Sequence, residues 1–138
     1  MKAVVDTNVL AYYLLGTQPF VDEARPFWEK LEEAMAPALW EAELTNVVWM
    51  AIRSGILSLE EGNRRLGLAA RLGIRSIPNR NLWHGALTRA AHSGVAAYDT
   101  LFVELASREQ LPLVTFDRKV LDAFPEIAKR PGSLVEAH

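Results

Sequence analysis

Apolar positions along the chain fall into short blocks that alternate between strand-like runs and helical stripes. Lys2–Val5 is an apolar run that stops at Asp6, which predicts a first strand. Asp6, Thr7 and Asn8 then offer capping side chains for a helix over Val9–Leu15, and Gly16 ends it. Pro19 opens a second helix to about Ala34, with Phe20, Ala24, Phe27, Leu31 and Ala34 on one stripe. Met35–Trp40, interrupted by Pro37, reads as a short edge strand. Glu41–Ser54 spaces Leu44, Val47, Val48, Ala51 and Ile52 for a buried helical face, closed by Gly55. Ser58-x-x-Glu61 is a capping box for a helix to about Leu72. Arg75–Ile77 fits a short strand, and Leu82–His92 and Asp99–Glu109 fit two helices. Leu113–Phe116 is a clear strand, followed by Asp117 and a short helix to about Phe124. Ser133–Val135 reads as a last strand. Strands separated by helices imply parallel pairing, with helices on both faces of the sheet. No Gly/Ser linker, repeat or low-complexity tract divides residues 1–138, so one α/β domain is expected.

Composition narrows this picture. Half of the 138 residues are apolar and 23% are charged, enough for a sizeable core and too apolar for a disordered chain. The absence of cysteine excludes a disulfide scaffold, thiolate metal sites and a cysteine nucleophile. Asp6 interrupts the first apolar run too soon for a signal-peptide core, and no run approaches the roughly 18–20 residues of a membrane span. A soluble, cytoplasmic protein is expected. The net charge of −2 conceals an asymmetry: residues 53–89 carry seven arginines against Glu60 and Glu61, whereas residues 1–52 carry three basic groups against eight acidic ones. A local basic block attracts phosphates even on an acidic chain, although any one of these arginines also fits an ordinary solvated helical face.

The chemistry concentrates in the acids. Only five aspartates occur, and Asp6 and Asp117 each follow directly on a strand, while Asp99 starts a helix after Ser93–Gly94. In an open parallel sheet, strand C-termini and the adjoining helix starts form the ligand crevice. Helix capping explains each aspartate alone; three such placements together suggest convergence. Thr7 and Asn8 stand beside Asp6, and Thr115 shares a strand face with Asp117. On the helix from Glu41, Glu43, Asn46 and Met50 lie beside the apolar stripe, pointing Glu43 towards the aspartates; Glu41 competes, and periodicity does not separate the two. Clustered carboxylates repel one another unless a cation sits between them. Oxygen-only ligands favour Mg²⁺ or Mn²⁺, and two such ions about 4 Å apart bind both the attacking and the leaving oxygens of a phosphodiester. Acids, metal and a phosphate-attracting surface together propose a nuclease.

Four segments carry a resemblance: VVDTNVL at 4–10, P-x-x-x-x-x-E-L-x-N from Pro37 to Asn46, AYDTLFVELA at 97–106 and LVTFD at 113–117. In this order and spacing the chain resembles the PIN-domain family, more narrowly the VapC-type toxin ribonucleases. Residues 55–92 carry no diagnostic motif. The resemblance implies an α/β/α sandwich around a parallel sheet and metal-dependent endoribonuclease activity. It places the family's acids on Asp6, Glu43, Asp99 and Asp117, choosing Glu43 over Glu41. Asp6, Asp99 and Asp117 would hold the metal directly or through water, with Glu43 assisting, and Asn8 and Thr115 match supporting polar positions. It also implies an RNA substrate, a protein antitoxin as partner, and a homodimer or higher oligomer.

Other residues carry less. His84 and His92 lie eight apart on one predicted helix and His138 is terminal, a spacing that does not support a zinc site. Trp28, Trp40, Trp49 and Trp83 suit core or subunit contacts better than base stacking, with Trp40 and Trp49 flanking the Glu43 helix as a dimer contact. Arg118 and Lys119 oppose the dipole of the short helix they start; a phosphate contact would explain them, and an ordinary solvated pair fits equally well. Ser93 and Ser133 have no base beside them. A catalytically silent PIN-like scaffold is the main competing class, and all four acids being present argues against it. A receiver-like phospho-accepting domain would need adjacent acids after the first strand, where Thr7 stands, and a haloacid-dehalogenase-type phosphatase would need an aspartate at Asn8.

Overall fold

The first strand, β1 (Lys2–Val5), buries Ala3, Val4 and Val5 almost completely in the computed structural model, which describes residues 1–136. A strand apolar on both sides belongs inside a sheet that is covered on both faces. β1 is indeed central. It pairs in parallel with β2 (Glu33–Pro37) on one side and β4 (Leu113–Val114) on the other. β3 (Arg75–Ile77) extends the sheet beyond β2, and β5 (Ala128–Lys129) extends it beyond β4, giving the order β3-β2-β1-β4-β5. All four pairings are parallel.

The connections are helical. α1 (Thr7–Leu15) and α2 (Val21–Lys30) join β1 to β2, and α3 (Leu39–Arg53) and α4 (Leu59–Arg71) join β2 to β3. α5 (Trp83–Ser93) and α6 (Ala97–Glu109) lead back across the sheet to β4, α7 (Arg118–Ala123) leads to β5, and α8 (Pro131–Glu136) follows. Alternation along β1 sends Ala3 and Val5 to a cluster with Val9, Ala24 and Phe27, and Val4 to the opposite cluster with Phe102, Val103 and Leu105 of α6. The architecture is therefore the expected α/β/α sandwich around a parallel sheet. Among the described residues, no helix is long and apolar enough to cross a membrane.

The strand order sets the site. From β1 the chain builds outward to β2 and β3, then returns to lay β4 against the other side of β1. This reversal makes a topological switch point at the carboxyl ends of β1 and β4, the place where open parallel sheets bind ligands.

Three element expectations are corrected. Residues 31–34 leave the helix: Leu31 turns extended (φ −74°, ψ 125°) and the chain enters β2, because pairing with β1 outweighs the apolar stripe. β2 is an internal strand, not an edge. Pro37 is tolerated there because pairing with β1 ends at Met35, and Ala38 N–H closes the ladder to Ile77 O at 2.8 Å. Ser133–Val135 is helical, within α8, and the last strand is Ala128–Lys129 instead. A proline at the first helical position suits that start.

Candidate active site

Four helices bring acidic side chains to this switch point. Asp6 stands between β1 and α1 with extended backbone (φ −71°, ψ 148°), and its Oδ1 accepts from Thr7 N–H at 2.8 Å. Its own N–H donates to Val114 O at 2.9 Å, so the end of β4 fixes its height above the sheet. Asp117 caps α7 in the same way, with Oδ1 accepting from Lys119 N–H at 2.8 Å. Asp99 lies in the first turn of α6, where a negative charge complements the helix dipole. Glu43 comes from the first turns of α3, and Thr7 Oγ1 donates to its Oε1 at 2.8 Å.

Polar residues between the strands hold this frame. Thr115, with no exposed surface, donates its hydroxyl to Asp6 Oδ2 at 2.8 Å and accepts from Asp117 N–H at 3.0 Å. β4 ends at Val114, so Thr115 and Asp117 are related by this turn rather than by a continued strand face. Asn8 Oδ1 accepts from Phe116 N–H at 3.2 Å, while its Nδ2 approaches Asp6 Oδ2 and Thr115 Oγ1 at 3.5 and 3.4 Å. The structure thus brings Asp6, Asn8, Thr115 and Asp117 into one network and ties Glu43 to it through Thr7. Glu41 turns away and accepts from Ser76 Oγ at 3.3 Å beside β3.

The electrostatics couple Asp6, Glu43 and Asp99, and the charge of Asp117 acts on Asp99. Burial pushes the Asp6 carboxyl up to about 7, against the lowering effect of the Thr115 hydroxyl, and the negative charges of Asp99 and Glu43 push the same way. Half-burial also raises Glu43, opposed by Thr7 and reinforced by Asp99. Asp99 is raised by burial and by Asp117, and Lys119 partly offsets this. Asp99 is the hub of the group, and no hydrogen bond stabilises its charge among the described residues.

The donors present are carboxylate and hydroxyl oxygens, which suit a hard divalent cation. Among the described residues, no three acidic or histidine side chains are gathered tightly enough to enclose an ion by themselves. Such a set fits Mg²⁺, which keeps several waters and takes one or two carboxylates together with substrate phosphate. His84 and His92 are exposed on α5, and His138 lies outside the described residues.

Arg118 and Lys119 are exposed at the start of α7, beside the acids. The basic block is dispersed: Arg89 binds Glu104, Arg64 pairs loosely with Glu60, and Arg53 and Arg80 lie over the rings of Trp49 and Trp83. Trp40 is core, its Nε1 donating to Ser76 Oγ at 2.7 Å, so it does not form a surface contact with Trp49. Trp49 and Trp83 are about half exposed. Sequence reasoning did not find the Thr7–Glu43 link. The two residues are 36 positions apart, and no periodicity joins residues across a crossover.

A doubly covered parallel sheet with carboxylate and hydroxyl oxygens gathered at its switch point defines the class. The chain belongs to the PIN domain family, whose sequence profile matches residues 3–129. No curated protein sequence matches the chain. Among solved structures, PAE2754 from Pyrobaculum aerophilum superposes with a TM-score of 0.74 at 22% identity, covering 99% of this chain and 94% of that one. A toxin-antitoxin complex from Klebsiella pneumoniae gives a TM-score of 0.64 at 18% identity, with coverage of 94% and 97%. VapBC2 from Rickettsia felis, bound to a DNA fragment from its promoter, gives 0.64 at 17% identity, with coverage of 94% and 98%.

Proposed function

We propose that this protein is a Mg²⁺- or Mn²⁺-dependent endoribonuclease, a single domain that acts in the cytoplasm as the toxin of a VapC-type toxin–antitoxin pair. The observation that carries the reading is the gathering of Asp6, Glu43, Asp99 and Asp117 at one switch point, with burial and mutual repulsion raising three of them. Such a cluster costs stability unless a proton or a cation neutralises it. The toxin–antitoxin complexes that share the fold support a protein antitoxin as partner. Exposed Trp49, Met50, Trp83, Leu87 and Tyr98 supply apolar surface for the antitoxin or for a second copy.

In this reading Asp6, Asp99 and Asp117 hold the metal directly or through water, and Glu43 assists. When bound, the metal supplies an activated water and neutralises charge on the scissile phosphate. Thr115 and Asn8 keep the Asp6 carboxylate oriented and set the loop that presents Asp117. Arg118 and Lys119 attract the flanking phosphates.

Incubation of purified protein with end-labelled RNA and matched DNA in Mg²⁺, Mn²⁺ or EDTA tests this. Cleavage of RNA only with metal is expected, falling by on the order of a hundredfold or more in Asp6→Asn and Asp99→Asn. Undiminished cleavage in both variants would overturn the assignment.

A further inference from the structure

Thr7 touches two of the acids at once. Its backbone N–H donates to Asp6 Oδ1 at 2.8 Å and its hydroxyl donates to Glu43 Oε1, also at 2.8 Å. Thr7 is 6% exposed, so bulk water does not readily supply a replacement donor at its position. Glu43 has no other hydrogen-bond partner among the described residues, and it arrives from α3, across the crossover that follows β2. A glutamate tethered at one oxygen keeps its second oxygen for another partner, whereas an untethered one samples several rotamers.

We propose that Thr7 is a positioning residue that aims Glu43 at the metal and fixes its distance from Asp6; the inference rests on the nuclease reading above. The packing around α1 does not require a hydroxyl here, since Val9, Leu10 and Ala11 supply the buried apolar contacts of its first turns. The donor is therefore matched to the carboxylate. Groups that orient metal-binding side chains typically change metal affinity by 10–100-fold when removed.

Mn²⁺ binding to the full chain, measured by calorimetry, separates the possibilities. Thr7→Val keeps the shape and the backbone donor to Asp6 while deleting the hydroxyl, and Thr7→Ala repeats the deletion without a methyl group against the Glu43 carboxylate. Both should weaken Mn²⁺ binding about tenfold, whereas Thr7→Ser, which retains the hydroxyl, should stay close to wild type. In a Glu43→Gln background, Thr7→Val should add no further loss, because the two residues act as one unit. Thermal melts in EDTA identify which hydroxyl-deleted variant is folded for the comparison. Wild-type affinity in the folded hydroxyl-deleted variant, or an equal loss with Gln at 43, would overturn the role of Thr7 alone. Absence of Mn²⁺ binding by wild type itself would overturn the nuclease reading and this inference together.

Discussion

Asp6 places a carboxyl where a charge is costly, and this fixes the sign of a pH effect. Its folded value is raised to about 7, so between the ordinary carboxylate range and pH 7 the folded state binds more protons than the unfolded chain. Stability without metal should fall as pH rises from about 4 to 7 and level off above that. The raised groups Glu43 and Asp99 act in the same direction. Glu23 and Glu104 are lowered and act in the opposite direction, but their contribution is complete above the ordinary carboxylate range. The Asp6 contribution is at most about 4 kcal/mol, since each tenfold change in proton affinity corresponds to roughly 1.4 kcal/mol. Asp6→Asn should flatten the curve and melt no lower than wild type at pH 8 in EDTA. A steeper loss in the variant would contradict the assigned cost. Part of this scale was legible in the sequence: Asp6 directly follows β1, whereas Asp117 comes three residues after the end of β4 and Asp99 lies in the first turn of α6 rather than at its start. The Thr7–Glu43 bond and the departure of Glu41 towards Ser76 depend on how α3 is rotated over the sheet, which local pattern does not encode.

At the scale of elements, the strand–helix order was readable, and the failures occurred where tertiary pairing competes with local preference. Pro37 signals an edge, yet β1 stops pairing before it is reached. Leu134 and Val135 resemble strand residues, but Glu23 accepts from Gly132 N–H at 2.9 Å and from Arg130 Nη2 at 2.9 Å, docking α8 onto α2. Two glycines within helices test how closely the elements fit. Gly67 in α4 faces open space, so Gly67→Ala should stabilise by roughly 0.5–1 kcal/mol through helix propensity alone. Gly85 in α5 sits against α6, where an added Cβ would lie 2.2 Å from the Glu104 carboxyl carbon. That carboxylate is held by Arg89 at 2.9 Å and Arg108 at 2.6 Å, so it cannot move without breaking an ion-pair network. Gly85→Ala should therefore destabilise by about 1–3 kcal/mol, readable as a lower denaturant midpoint. Stabilisation by Gly85→Ala as well would show that the α5–α6 contact is looser than this geometry.

For the whole molecule, the sheet's order turns three distant aspartates and a glutamate into one electrostatic unit, at a cost that a bound cation can offset. A ligand that binds only the folded chain stabilises it by RT ln(1 + [L]/Kd), about 2.7 kcal/mol at a hundredfold excess over Kd. For a chain of this size that corresponds to a rise in Tm of about 10 °C. The rise should be larger at pH 8 than at pH 5, because protons compete with the metal for Asp6 and its neighbours. The Asp6→Asn/Asp99→Asn double variant should melt at the same or a higher temperature than wild type in EDTA at pH 8, since it relieves the repulsion at the hub. It should also lose most of the metal response. Melts of both proteins across a Mg²⁺ and Mn²⁺ titration at the two pH values read all of this at once. An equal metal-dependent rise in wild type and the double variant would place the cation elsewhere on the chain. A double variant that melts well below wild type in EDTA would mean that the acids stabilise the fold instead of straining it.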